Sequence, residues 1–121
     1  MEKLTPNEEE AMQAVWSCDN GTIKDFLESI QAPKPPYTTL ASTVKNLEKK
    51  KFVLAKKVGN TFCYSPLVKE EDYKKVFMGE FVSDYFSNSY KDLVTFFANQ
   101  EKISADELKE IIKMIEKGKE L

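Results

Sequence analysis

The sequence predicts a mainly α-helical chain interrupted by one small β-hairpin. Three observations carry that prediction. Apolar residues recur at helical spacing, first at Ala11, Met12, Val15 and Trp16 and last at Leu108, Ile111, Ile112 and Ile115. Capping-box patterns mark two helix starts, Thr5 with Glu8 and Ser104 with Glu107. Between these, "FVLAKK" and "TFCYS" flank "VGN", the chemistry of strand, turn and strand.

The first helix begins in "LTPNEEEAMQAVW", where Thr5 caps, Pro6 suits the first helical position and Glu8 completes the box. "CDNGT" breaks it. "TIKDFLESIQ" is a second, short helix with Ile23, Phe26, Leu27 and Ile30 on one side, and "APKPP" forbids helix through the connector that follows. The third helix spans about Tyr37 to Lys50. Its buried stripe is Leu40, Val44 and Leu47, and at 100° per residue Thr38, Ser42, Lys45 and Lys49 fall opposite. That outer stripe is small, hydrogen-bonding and basic. In the hairpin, Gly59 supplies the special turn conformation, and three further helices are expected at about 69–86, 89–99 and 104–117, with Gly118 as the last stop.

Composition narrows the function. The chain has 121 residues with 41% hydrophobic and 31% charged content, the balance of a folded globular protein. It contains no histidine, and all 18 basic residues are lysine. Without His, a nucleophile–base pair or a Gly-rich phosphate loop, no enzyme is expected. Cys18 and Cys63 lack paired-cysteine spacing, so no metal or other cofactor is expected and both read as reduced thiols. No apolar run reaches the roughly 18 residues that cross a bilayer, and "MEKLTPNEEE" is too acidic for an export signal. A cytoplasmic protein without direct membrane insertion is expected.

The net charge of −2 hides an asymmetry: residues 34–57 hold seven Lys and a single acid, Glu48. Three helices followed by a hairpin is the order of a winged helix-turn-helix, whose third helix enters the DNA major groove while the wing touches the backbone. The expected architecture is therefore a winged-helix DNA-binding domain at 1–67 and a helical dimerisation domain at 68–121. The expected DNA contacts are Tyr37, Thr38, Thr39, Ser42, Lys45, Asn46 and Lys49 on the helix, with Lys56, Lys57 and Asn60 on the wing.

Residues 67–121 carry eight aromatic side chains, and the first helix there spreads apolar groups over more than one face. Three short helices can hardly bury all of that alone, so a homodimer is expected, with Tyr73, Phe77, Phe81, Tyr85, Leu108, Ile111, Ile112 and Ile115 at its interface. Two winged domains on a two-fold axis suit an inverted repeat in double-stranded DNA. The other reading is a protein-interaction module that kept the winged fold and lost tight DNA binding, favoured by the missing arginines and the acidic total.

With these elements placed, the sequence resembles the BlaI/MecI family of penicillinase and methicillin-resistance repressors over nearly its whole length. "LTPNEEEAMQAVW" is similar to the family's opening pattern. "YTTLASTVKNLEKKKFV" resembles its recognition helix, "VGNTFCYSPLVKEEDY" its wing and the entry to the C-terminal helices, and "FSNSYKDLVTFF" a segment between those helices. The resemblance implies a dimeric repressor, released by proteolysis or another signal, and as partner a membrane-bound sensor with a zinc-protease domain. The family's usual Asn-Phe cleavage pair corresponds to Thr95-Phe96. Departures stand at Asn46 for Arg, Lys51 for Gly and Gly59-Asn60 for Gly-Arg. The cysteine cluster of copper-responsive relatives is missing after Cys63.

Overall fold

The computed structural model describes residues 1–118. Its elements run α1 (Pro6–Cys18), α2 (Ile23–Ser29), α3 (Tyr37–Lys49), β1 (Val53–Val58), β2 (Thr61–Pro66), α4 (Glu70–Phe86), α5 (Tyr90–Asn99) and α6 (Ala105–Glu116). Two compact units result, Met1–Val76 and Phe77 onward, so α4 begins in one and ends in the other.

In the first unit, local chemistry sets each boundary. The Thr5 hydroxyl accepts from the Glu8 N–H at 3.2 Å and the Glu8 carboxylate accepts from the Thr5 N–H at 2.9 Å. Thr22 and Asp25 repeat the same reciprocal cap on α2. At the end of α3 the Phe52 N–H reaches the Leu47 carbonyl and the Lys51 N–H the Glu48 carbonyl, a Schellman ending. It requires Lys51 at φ 65°, where glycine is the unstrained residue.

The hydrophobic stripes meet as their periodicity dictates. Met12 and Val15 of α1, Phe26 of α2 and Leu40, Val44 and Leu47 of α3 are buried together with Phe52, Val53 and Tyr64. Each such side chain contributes roughly 1.5–3 kcal/mol. The strands pair antiparallel from Val53 opposite Pro66 to Val58 opposite Thr61, closed by Gly59-Asn60. Positive φ falls on Gly59 within that turn (63°), the pattern of a type II′ hairpin. Gly21 adds a rung to the sheet: its N–H donates to the Tyr64 carbonyl at 3.0 Å and its carbonyl accepts from the Tyr64 N–H at 2.8 Å.

Tyr73, expected at a dimer interface, lies instead in the core of this first unit. Its ring packs on Trp16 and Phe52, and its hydroxyl donates to Glu9 at 2.8 Å. The indole N–H of Trp16 donates to the Val68 carbonyl at 2.9 Å, fastening the chain that leaves the hairpin. Residues 68–76 thus pack as part of the winged unit.

The second unit is held differently. Among its described residues Val82 is the one fully buried side chain, and Phe81, Phe86, Phe96 and Phe97 form a chain of ring contacts 5.4–6.0 Å apart. Ser104 and Glu107 make the expected capping box, and Gly118 ends α6 at φ 85°. No helix of the described residues is long and apolar enough to cross a membrane.

Candidate nucleic-acid interface

The exposed side of α3 follows from its buried one. With Leu40, Val44 and Leu47 turned inward, Thr38, Ser42, Lys45 and Lys49 form an exposed strip opposite them. Thr39 and Asn46 flank it on one side, also exposed. Tyr37, Ala41 and Glu48 flank it on the other, and Tyr37 and Ala41 border the hairpin across a groove. Pro36 at the N-cap supplies no side-chain acceptor for the first N–H groups of the helix.

The lysine excess of 34–57 does not all face outward. The Lys34 ammonium donates to the carbonyls of Leu27 at 2.7 Å and Glu28 at 3.1 Å, closing the end of α2. Lys50 is bound to the buried Glu8 at 2.7 Å. Lys34 is nonetheless exposed, as are Lys45, Lys49, Lys51, Lys56 and Lys57, with Glu48 among them.

Strand alternation separates the two wing lysines that the sequence placed together. Lys57 stands opposite Phe62 and shares the sheet face of Ala55 and Tyr64, which packs on the core. Lys56 stands opposite Cys63 on the other face, beside the exposed Leu54 and Val58. Lys57 therefore lies on the α3 side of the wing and Lys56 does not.

The groove joins pieces far apart in sequence: Thr22 at the N-cap of α2 with Ile23 and Lys24 of that helix, Tyr37 and Ala41 of α3, and Asn60, Thr61, Phe62 and Tyr64 of the wing, around about 570 Å³. Burial, with Glu48 and Tyr37 nearby, pushes the Tyr64 phenol above its ordinary pKa, so it stays protonated at neutral pH. Tyr37 and Asn60, both expected contacts, meet here. Lys24, Thr22 and Phe62 were missed, because a lone lysine on a short helix and a strand phenylalanine carry no local signal of being neighbours.

The remaining expected residues lie in the second unit. Phe77, Tyr85, Ile111, Ile112 and Ile115 are exposed, and Phe81 and Leu108 are half-buried. Thr95 and Phe96 sit inside α5, where the Thr95 hydroxyl donates to the Lys91 carbonyl at 2.8 Å and Phe96 packs on Phe86 and Phe97.

The penicillinase repressor family model matches residues 4–117. The methicillin resistance regulatory protein MecI of Staphylococcus aureus is 28% identical over 116 residues, covering 95% of this chain and 94% of the relative. The penicillinase repressor of Bacillus licheniformis is 25% identical over 122 residues, covering 97% and 92%. Among solved structures, Lactococcus lactis ZitR aligns with a TM-score of 0.47 at 16% identity, over 95% of this chain and 73% of that one.

Proposed function

We propose a function from one premise: the chain belongs to the penicillinase repressor family. It is a transcriptional repressor of the winged-helix type and not an enzyme. Our reading goes further in three respects: it binds double-stranded DNA as a homodimer, its operator is an inverted repeat, and α3 reads that operator from the major groove. The observation that carries this is the uniform strip of Thr38, Ser42, Lys45 and Lys49, exposed and free of acids, with Thr39 and Asn46 beside it. Hydroxyls and the Asn46 amide suit base edges, and the ammonium groups suit phosphates. With no arginine in the chain, readout rests on Asn, Thr and Ser.

Support for the homodimer comes from the second unit, where Tyr85, Ile112 and Ile115 are 74%, 53% and 59% exposed. Side chains of that kind in one small unit mark an association surface. Release by proteolysis, with a membrane-bound zinc-protease sensor as partner, is the extension that the family resemblance suggests. Cleavage at Thr95-Phe96 would need α5 to open first, since the bond is helical.

The test is selection from random duplex DNA at two salt concentrations. Recovery of an inverted repeat with a steep salt dependence is expected. Recovery of no preferred sequence by folded, dimeric protein would sink the operator reading. It would favour the second reading, a protein-interaction module, for which the exposed Leu54 and Val58 on the outer wing face are the supporting observation.

A further inference from the structure

We propose that Asn20-Gly21 is a self-modification site gated by the sheet: it deamidates only from conformations in which the Gly21–Tyr64 rung has opened.

Sequence is the first observation. Of the chain's six asparagines only Asn20 precedes a glycine. A following residue without a side chain lets its backbone nitrogen close on the asparagine carbonyl unhindered. The step needs no oxidant, reductant or catalyst. The Gly21 nitrogen gives up its proton and attacks Cγ of the Asn20 side chain. A cyclic imide closes as the Cγ–N bond breaks, and the side-chain nitrogen leaves as ammonia, carrying the equivalent of that proton. One water then opens either imide carbonyl, leaving aspartate or isoaspartate and one more negative charge.

Geometry is the second observation, and in the folded chain it withholds the nucleophile. The Gly21 N–H donates to the Tyr64 carbonyl at 3.0 Å and the Gly21 carbonyl accepts from the Tyr64 N–H at 2.8 Å. On the other side, the Asn20 N–H donates to the Cys18 carbonyl at 2.7 Å, so the reacting pair is pinned at both ends. An amide held in such a rung keeps its proton and cannot turn toward Cγ. Asn20 itself is exposed, so water for the second step is at hand and the rung is the remaining barrier.

Charge is the third observation. The Asp25 carboxylate lies against the glycine, since a Cβ at Gly21 would stand 3.0 Å from Asp25 Oδ2. A negative charge there disfavours the deprotonated nitrogen that the attack requires. The Thr22 N–H holds that carboxylate in place at 2.9 Å as part of the α2 cap, so cap and gate are one structure. Isoaspartate would put an extra backbone carbon beside Gly21, and the two hydrogen bonds of the rung could no longer register together. The site thus keeps a permanent mark of each opening that leads to reaction.

The experiment incubates the full chain at neutral pH, folded and in denaturing urea. Mass spectrometry of the digested chain follows Asn20, while NMR gives hydrogen exchange at the Gly21 amide. In urea, Asn20 is expected to deamidate ahead of the other asparagines. In the folded chain the reaction should be slower by the same factor that protects the Gly21 amide from exchange. Thr22→Ala, which removes the hydroxyl half of the α2 cap, should raise exchange and deamidation together by about fivefold. Sub-denaturing urea should also raise the two together in the unaltered chain, a check that does not depend on the variant folding. Equal rates folded and unfolded would overturn the gate, as would faster Gly21 exchange without faster deamidation. Asn20 intact in urea while other asparagines react would overturn the site itself.

Discussion

Glu8 and Lys50 lie 42 residues apart in sequence and meet at 2.7 Å, joining the first turn of α1 to the end of α3. Glu8 is buried, and the same oxygen accepts the Thr5 N–H. Burial pulls its carboxyl upward, but the Lys50 and Thr5 hydrogen bonds together outweigh that and hold its pKa below the ordinary 4.5. A lowered folded-state pKa contributes stability that is fully present above the unfolded value. It is lost as pH falls from about 4.5 through the folded value. Glu8→Gln should therefore be less stable than wild type at neutral pH by about 1–3 kcal/mol. In urea melts from pH 7 to pH 3 the two proteins should converge at the acid end. A constant difference across that range would exclude Glu8 as the titrating group.

The end of α3 carries avoidable strain. Lys51 sits at φ 65° in a Schellman ending whose hydrogen bonds are already in place. Lys51→Gly should relieve left-handed strain of about 1 kcal/mol, less the extra freedom glycine gains when unfolded, for a net gain near 0.5 kcal/mol. An equilibrium urea melt should show a higher midpoint at an unchanged slope. A lower midpoint would mean that the Lys51 stem contributes packing that outweighs the backbone.

At Gly21 close approach favours glycine. A Cβ there would stand 3.0 Å from Asp25 Oδ2, 3.1 Å from Asp25 Cβ and 3.3 Å from the Phe26 ring. Those atoms are the cap of α2 and a fully buried core side chain. Gly21→Ala should destabilise by about 1–3 kcal/mol, measured as a fall in thermal midpoint. A neutral result would show that Asp25 can swing aside at no cost to its cap.

These positions show what the sequence made legible. Element order, the capping boxes at Thr5 and Ser104 and the inward stripe of α3 are local patterns, and the fold follows them. The exposed face of α3 was legible for the same reason, as the complement of Leu40, Val44 and Leu47. What could not be read were contacts made across long separations. Lys50 and Lys34 looked like part of an outward basic patch until Glu8 and the α2 carbonyls were found beside them. Tyr73 looked like one more exposed aromatic until Trp16 and Phe52 closed on it. The groove required α2, α3 and the wing to be brought together, which no window of sequence contains.

The apolar surface of the second unit gives a prediction about assembly. Ile112 and Ile115 are exposed in a helix whose opposite side carries Glu110, Lys113 and Asp106. Replacing Ile112 and Ile115 by Glu should leave the monomer folded, because neither is buried within the chain. It should shift sedimentation velocity from dimer toward monomer at micromolar concentration, since charges at an apolar interface core each cost several kcal/mol. An unchanged dimer would move the interface away from α6, and monomeric wild type would remove the homodimer from the proposed function.

The wing lysines provide the sharpest test of which face meets DNA. Their positions are adjacent in sequence, their charge is identical and both are exposed, so composition alone predicts equal effects. Pairing of Lys57 with Phe62 and of Lys56 with Cys63 puts them on opposite faces of the hairpin. Lys57→Gln should flatten the log–log salt slope of operator binding by about 0.9, the contribution of one lost phosphate contact, whereas Lys56→Gln should leave it near wild type. A joint Lys45→Gln, Lys49→Gln variant should lose about twice the Lys57 effect, because both lysines stand on the α3 strip. Equal slopes for the two wing variants would mean that the duplex wraps the wing tip and contacts both faces. A larger effect at Lys56 would turn the outer face, with Leu54 and Val58, toward the DNA.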